Sequence, residues 1–312
     1  MIGFAARKVA GMLATVAVAS VVIFGALYLA PGDPASLLAG GHQVTPETLA
    51  AIRSQYHLDE PFWAQYWHWL AGLLSGDPGT SMVLKEPVTA LISARLGTTA
   101  LLVAYASILI LIFGVAFGVL AGVAGRFVDG ALTVTTTVLM AAPAFVAAIL
   151  LIWIFATKLS WFPVFGSGDG GFWDRIHHLT LPALALSGGY LAYVSRITRT
   201  EVRTELASDH VAVARARGLP RRVVLRRHVL RNAAPPILAV SGVTVAGLFA
   251  GTAVAEQAFG VSGLGSLLVQ SAARQDLVVV QVLSLLLVSA FVVVNMMVDL
   301  LNALLDPRLV KS

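Results

Sequence analysis

Charged residues are scarce in this sequence. They make up 12% of its 312 residues, hydrophobic residues make up 58%, and the mean hydropathy is +0.84. Soluble domains carry about twice this share of charge, so a water-soluble globular fold is excluded. Cysteine is absent altogether, which excludes disulfide bonds, thiolate metal sites and cysteine nucleophiles.

The apolar residues fall in long runs. About 20 apolar residues in a helix cross the ~30 Å hydrocarbon core of a bilayer. The sequence therefore predicts an all-α polytopic membrane protein with six transmembrane helices, near residues 9–30, 98–122, 131–157, 179–195, 235–255 and 277–305. The fourth run is the weakest, because a proline, a serine and two glycines dilute it.

The connecting segments differ in charge. Lys and Arg flanking membrane spans tend to stay cytoplasmic. Residues 31–97 carry three cations against six acids, whereas residues 196–231 carry ten arginines against three acids. This bias predicts cytoplasmic N- and C-termini, an extracytoplasmic insertion at 31–97 and a cytoplasmic loop at 196–234. It also accounts for the isoelectric point near 9.8, so no nucleic-acid partner is predicted.

The insertion at 31–97 carries helix signals. Thr45 is an N-cap candidate before Pro46 and Glu47. A second helix would place on one face Trp63, Tyr66, Trp67, Leu70 and Leu74. Aromatic rings favour the headgroup level of a bilayer, so we expect short helices lying along the outer membrane surface. An aromatic cage for substrate is the alternative.

The sequence lacks the residues that several kinds of function would require. No G-x-x-x-x-G-K-[ST] phosphate-binding loop is present, so use of ATP would depend on a partner, and no cofactor or metal is expected on this chain. Asp299 is the one acid within an apolar run, which argues against a proton-driven carrier. Gly260 to Gly263 match the Gly-x-Ser-Gly pattern of rhomboid-type proteases, but every histidine precedes Ser262. The chain is therefore not expected to be an enzyme.

Two segments carry structural signals. Gly114, Gly118 and Gly122 recur at four-residue spacing, which predicts a groove for close helix packing. In the basic loop, Ser208 is an N-cap candidate and Gly218 suits a left-handed C-terminal position. These signals predict a helix over about 209–217, followed by a second short helix over about 220–232.

This loop resembles the "EAA" loop of ABC importer permeases. It is similar to the dipeptide/oligopeptide/nickel branch, whose loop typically reads D-Y-x-x-x-A-R-A-K-G-L…H-x-x-R-N-A-x-x-P. The chain has Asp209-His210, then ARARGL, His228, Arg231-Asn232-Ala233 and Pro235. Further segments resemble the family in order, among them PGDP (31–34), WFPVFG (161–166), LPALAL (181–186) and GVSGLGSLL (260–268). The family usually has proline where this chain has Ser262.

The resemblance implies one permease domain over 1–312 with the type I ABC importer permease fold. It implies a second, homologous permease subunit, ATPase subunits that hold ATP and Mg²⁺, and an extracytoplasmic binding protein. The expected ATPase-docking residues are Asp209, Ala212, Ala214, Arg215, Ala216, Gly218 and Leu219.

The substrate is the most open part of this interpretation. The resemblance implies di- or oligopeptides, and nickel or another small solute is the alternative on the same scaffold. A stand-alone secondary carrier is a further alternative, although such carriers usually show internal repeats.

Overall fold

The computed structural model describes residues 2–29, 35–36, 45–55 and 57–305. The regular secondary structure of these residues is helical, and they contain no β-strand, only an isolated bridge between Thr80 and Pro87. In chain order the helices are α1 (Ile2–Leu29), α2 (Pro46–Gln55), α3 (Phe62–Ser75), α4 (Val88–Val123), α5 (Arg126–Ala141), α6 (Ala144–Lys158), α7 (Phe172–Leu206), α8 (Asp209–Ala216), α9 (Arg221–Ala258), α10 (Leu264–Ala273) and α11 (Leu277–Leu305).

Four of the described helices are long and apolar enough to cross a membrane: α1, α4, α9 and α11. Helices α5 and α6 together make a fifth candidate if they count as one broken span. Helix α7 contains the fourth predicted run but is not among these candidates. The all-helical membrane architecture agrees with the sequence, and the number of six spans stays a prediction.

The third predicted span is not a straight helix. A bend of 105° separates α5 from α6, so a single helix over 131–157 is wrong. Proline has no N–H to donate, and its ring disfavours helical geometry in the residue before it. Ala142 accordingly adopts extended angles (φ −75°, ψ 119°), and α6 begins directly after Pro143.

Helix α4 lies closely against α7 along three glycines. A Cβ on Gly114 would lie 3.1 Å from the Leu191 carbonyl oxygen, and one on Gly122 would lie 2.6 Å from a Val202 methyl group. A Cβ on Gly118 would overlap Thr198 and the carbonyl oxygen of Ser195. Only glycine lets the two backbones approach this closely.

Three buried clusters follow one another along the bundle. The middle cluster joins α4, α6, α7 and α9. At one end, a second cluster joins the start of α4 to α2, α10 and the start of α11. At the other end, Val202, Val211, Ala214, Val224 and Val229 bring α7, α8 and α9 together. Helix α9 runs between these two ends, about 57 Å for 38 residues.

Helix α1 packs along α11 and is tied to it by an ion pair. Lys8 Nζ lies 2.7 Å from Asp299 Oδ2. This contact explains the one acid within an apolar run: Asp299 is a packing partner that faces a cation of its own chain.

Helix α3 turns different aromatic residues to different sides. Tyr66 is buried against α1, where its hydroxyl lies 2.8 Å from Ser20 Oγ and its ring contacts Phe24. Trp63 and Trp67 are about 60% exposed. The single aromatic face predicted from spacing is therefore wrong for Tyr66, which packs within the chain. The exposed tryptophans remain available for the membrane surface.

Helix α2 starts as predicted, with Thr45 Oγ1 accepting the Thr48 N–H.

A buried carboxylate organises the junction of α9 with α10. Glu256 is fully buried and accepts hydrogen bonds from the Thr99 hydroxyl (2.7 Å) and the Ser266 N–H (2.8 Å). Thr99 Oγ1 in turn accepts the Leu264 N–H at 2.8 Å. The carboxylate thus lies at the N-terminus of α10, where backbone N–H groups lack partners.

The neighbouring turn contains Ser262, the position at which the resemblance noted above led us to expect proline. The Ser262 N–H donates to Ser167 Oγ at 3.1 Å, a bond that proline, having no N–H, cannot make.

We predict that Gly118→Ala destabilises the protein by about 1–3 kcal/mol, because the new methyl group overlaps backbone that cannot move aside. Gly97→Ala is the matched control, since its Cβ would meet open space on the same helix. Melting in detergent should show a lower midpoint for G118A alone. Equal midpoints for the two variants would contradict the close packing of α4 on α7.

We predict that Thr99→Val leaves the Leu264 N–H without its acceptor and removes one of the hydrogen bonds to the buried Glu256 carboxylate. Each buried polar group that loses its partner costs about 1–3 kcal/mol. Thr99→Ser keeps the hydroxyl and should stay close to the parent protein. Detergent melting curves of both variants test this assignment, and a T99V protein as stable as T99S would refute it.

Candidate functional site

Helix α8 is the short helix predicted in the basic loop, and it ends within one residue of the expected position. Its N-cap residue is Ser208, but the Ser208 hydroxyl donates to the Glu205 carbonyl at 2.6 Å and makes no capping bond. Gly218 has φ +76°, the left-handed geometry that glycine adopts most readily. The chain can therefore turn sharply into Leu219 and Pro220.

The second predicted helix is not a separate element. Residues Arg221–Val223 and the π-helical turn Val224–Val229 continue directly into the rest of α9. Pro235 and Pro236 lie inside this helix and do not end it. Because α7 also extends to Leu206, most of the predicted loop at 196–234 is helical extension of its two neighbours.

The two faces of α8 differ in burial. Asp209, Ala212, Val213 and Ala216 are exposed and follow one another at helical spacing. The other face is buried, with Val211 fully covered and Ala214 4% exposed. Ala214 therefore packs inside its own chain, and its predicted role in contacting a partner is corrected here.

The other predicted docking residues surround this exposed face. Gly218 is exposed beyond the C-terminus of α8, and no atom would meet a Cβ there. Arg215 and Leu219 line an open groove of about 470 Å³ between α8 and the end of α4. Six of the seven residues thus lie at one surface.

The buried face holds α8 to both neighbouring helices. Val211 and Ala214 pack with Val202 of α7 and with Val224 and Val229 of α9. A polar contact adds to this packing: His210 Nε2 lies 3.1 Å from Asn232 Nδ2 of α9 and 3.3 Å from a Glu205 carboxylate oxygen of α7. Helix α8 is consequently fixed to the ends of two long helices.

An ion-pair cluster braces the same end of the bundle. In α5, Asp129 Oδ2 accepts a hydrogen bond from Arg199 Nη2 at 2.9 Å and lies 2.8 Å from Arg203 Nη2. These contacts give two of the ten clustered arginines a structural role, since they bind α5 to α7. Sequence reasoning missed Asp129, because its partners lie about 70 residues away along the chain.

Comparison with known protein families shows the class of protein to which this chain belongs. Residues 114–311 match the family described as binding-protein-dependent transport system inner membrane component, and residues 1–103 match its N-terminal companion. The chain belongs to this family.

Relatives in the family match over nearly the full length. A probable peptide ABC transporter permease protein of Sinorhizobium fredii is 37% identical over 97% of both chains. Glutathione transport system permease proteins of Salmonella typhi and Escherichia coli K12 are 34% and 33% identical over 99% of each chain. The chain is thus an ABC importer permease subunit, a class of multi-pass membrane transport component.

Solved structures share the fold. The MetNI methionine ABC transporter in an inward-facing conformation aligns with a TM-score of 0.55 at 15% identity, covering 69% of this chain and 96% of that one. An amino acid ABC transporter aligns with a TM-score of 0.51 at 18% identity, covering 70% and 93%. At these identities the likeness concerns the helical architecture alone.

We predict that the two faces of α8 respond differently to the same substitution. Ala214→Leu overpacks the buried face and should destabilise this end of the protein by about 1–3 kcal/mol. Ala212→Leu adds the same volume on the exposed face and should change stability by no more than about 0.5 kcal/mol. Limited proteolysis of the loop in detergent measures the difference. Faster cleavage of A212L than of A214L would reverse the assignment of the faces.

Proposed function

We propose that this chain and a second, homologous permease subunit enclose the pathway of an ATP-driven importer in a bacterial cytoplasmic membrane. The chain has no phosphate-binding loop in its sequence, and it contributes no catalysis. ATP and Mg²⁺ bind on partner ATPase subunits, and an extracytoplasmic binding protein delivers the substrate. The termini and the α8 end of the bundle are cytoplasmic in this proposal.

Helix α8 is the element that docks on an ATPase subunit. The observation that carries this assignment is the contrast between its faces: one is exposed and lined by Asp209, Ala212 and Ala216, and the other is locked to α7 and α9. Small exposed side chains let a partner approach the backbone closely. Because the locked face belongs to the bundle core, a displacement of α8 is passed to both long helices as rigid-body motion.

Arg215, Gly218 and Leu219 complete the docking surface. Gly218 sets the direction in which the chain leaves α8. Arg215 and Leu219 border the groove beside it, and this groove suits a side chain of the ATPase that carries both an apolar part and a negative charge.

Short peptides are the proposed substrate. The relatives that match nearly the whole chain are named for transport of peptides and of glutathione, and glutathione is itself a tripeptide. Nickel or another small solute remains the alternative, because the same scaffold serves both and the binding protein selects the substrate.

We predict that Ala216→Glu abolishes peptide uptake while the protein stays at its normal level in the membrane. The longer, charged side chain projects from the exposed face and prevents close approach of the ATPase, without disturbing the buried face. Ala216→Ser is the matched control and should transport normally. Uptake of labelled di- and tripeptides is measured in cells that carry each variant in place of the native gene.

A second measurement separates docking from substrate choice. Tagged parent protein, purified in mild detergent, should bring down an ATPase subunit and a second permease, and A216E should lose the ATPase but keep the permease. Normal peptide uptake by A216E would contradict the docking surface. If the parent protein took up nickel but no peptide, the docking proposal would stand and the peptide-substrate proposal would be wrong.

A further inference from the structure

Two histidines and a glutamate converge where α2 passes into α3. His57 Nδ1 lies 3.1 Å from Glu60 Oε1, and His68 Nε2 lies 3.1 Å from Glu60 Oε2. The two imidazole rings stack, with centroids 4.3 Å apart. One ligand atom from each residue lies within 4.8 Å of the others. Three potential metal ligands thus surround one point.

The backbone holds His57 in a demanding conformation. Its φ is +53°, in the left-handed region that glycine adopts at the C-terminal end of helices. The Leu58 N–H donates to the Arg53 carbonyl at 2.9 Å, which closes the last turn of α2. Histidine adopts this left-handed conformation less readily than glycine, and residues in such conformations concentrate at functional sites.

The turn itself is fixed to α3. The Gln65 side-chain amide donates to the carbonyls of Leu58 (3.1 Å) and Glu60 (2.7 Å), and Gln65 is almost fully buried. His68 lies on α3, one turn beyond Gln65. The three side chains are therefore held together by the backbone that carries them, before any ion binds.

The geometry points to a metal site, and we propose that His57, Glu60 and His68 bind a divalent transition-metal ion, with Zn²⁺ the best match. Two imidazoles and one carboxylate are a zinc ligand set, whereas Mg²⁺ and Ca²⁺ take oxygen ligands. Tetrahedral Zn²⁺ with ligands at 2.0–2.1 Å separates neighbouring ligand atoms by about 3.3 Å. Each imidazole nitrogen lies 3.1 Å from a different oxygen of the Glu60 carboxylate, so a small rotation of that carboxylate brings one oxygen between the two nitrogens. The site departs from the expectation that this chain binds no metal.

The bound ion would join the C-terminal turn of α2 to α3 and leave one coordination position open. The three side chains are about 39–54% exposed, so the ion reaches them without any opening of the fold. In the orientation proposed above, the site faces the outside of the cell. The inference itself rests on these residues and does not depend on the importer assignment.

The test is Zn²⁺ binding by the full chain, purified in mild detergent through a tag without histidine and stripped of metal with EDTA. Calorimetric titration gives stoichiometry and affinity, and visible absorption of added Co²⁺ reports the ligand set. His57→Gly removes one ligand and also relieves the left-handed strain, so this variant should fold at least as well as the parent. His68→Ala removes a second ligand from an exposed position.

The matched control is the double variant H177A/H178A. His177 Nε2 and His178 Nδ1 each contact a backbone carbonyl, at 2.9 Å in both cases, and they lie outside the proposed site. We expect one Zn²⁺ per chain in the parent and control, and affinity weaker by about tenfold or more in H57G and H68A. Zn²⁺ should also raise the melting temperature of parent and control alone. Absence of saturable binding by the parent, or unchanged affinity in H57G and H68A, would overturn the proposal.

Discussion

The approach of α4 to α7 through Gly114, Gly118 and Gly122 is the contact on which the rest of the bundle depends. In a bilayer the lipid tails are as apolar as the side chains, so helices associate through close van der Waals packing more than through the hydrophobic effect. Removing the Cβ atoms along one stripe brings the two backbones together over two turns. Beyond Gly122, Val123 and Val202 then form part of the cluster in which α8 lies.

The position of α8 follows from that packing. Its buried residues Val211 and Ala214 fill the space between the ends of α7 and α9, and His210 contacts Asn232 of α9. A force on the exposed face of α8 therefore acts on two long helices at once. Helix α9 extends from this end of the bundle to Glu256, whose carboxylate accepts the Ser266 N–H at the start of α10. In the proposed importer this path connects the ATPase side with the opposite side of the membrane.

Errors in the sequence-based predictions have separate physical causes. The bend at Pro143 was missed because hydropathy averages over residues and does not register one absent N–H. The cytoplasmic loop was predicted to end at residue 234, yet Pro235 and Pro236, which follow it, lie within α9; prolines are tolerated inside helices of membrane proteins. Ala214 was assigned to the docking surface from its place in a motif, whereas burial of Val211 and Ala214 sets which face points inward. Tyr66 was likewise placed with the exposed tryptophans, because spacing does not reveal which side meets α1.

Composition and local signals alone determined the helical membrane class, the short helix that begins at Asp209, the left-handed turn at Gly218 and the resemblance to importer permeases. These features depend on residues close together in the chain, whose propensities and hydropathy act locally. Only the tertiary structure decided which face of α8 is exposed, that Asp129 pairs with Arg199 and Arg203, that Lys8 pairs with Asp299, and that His57, Glu60 and His68 converge. Each of these depends on how separate helices and turns pack against one another, and a linear pattern carries no record of that geometry.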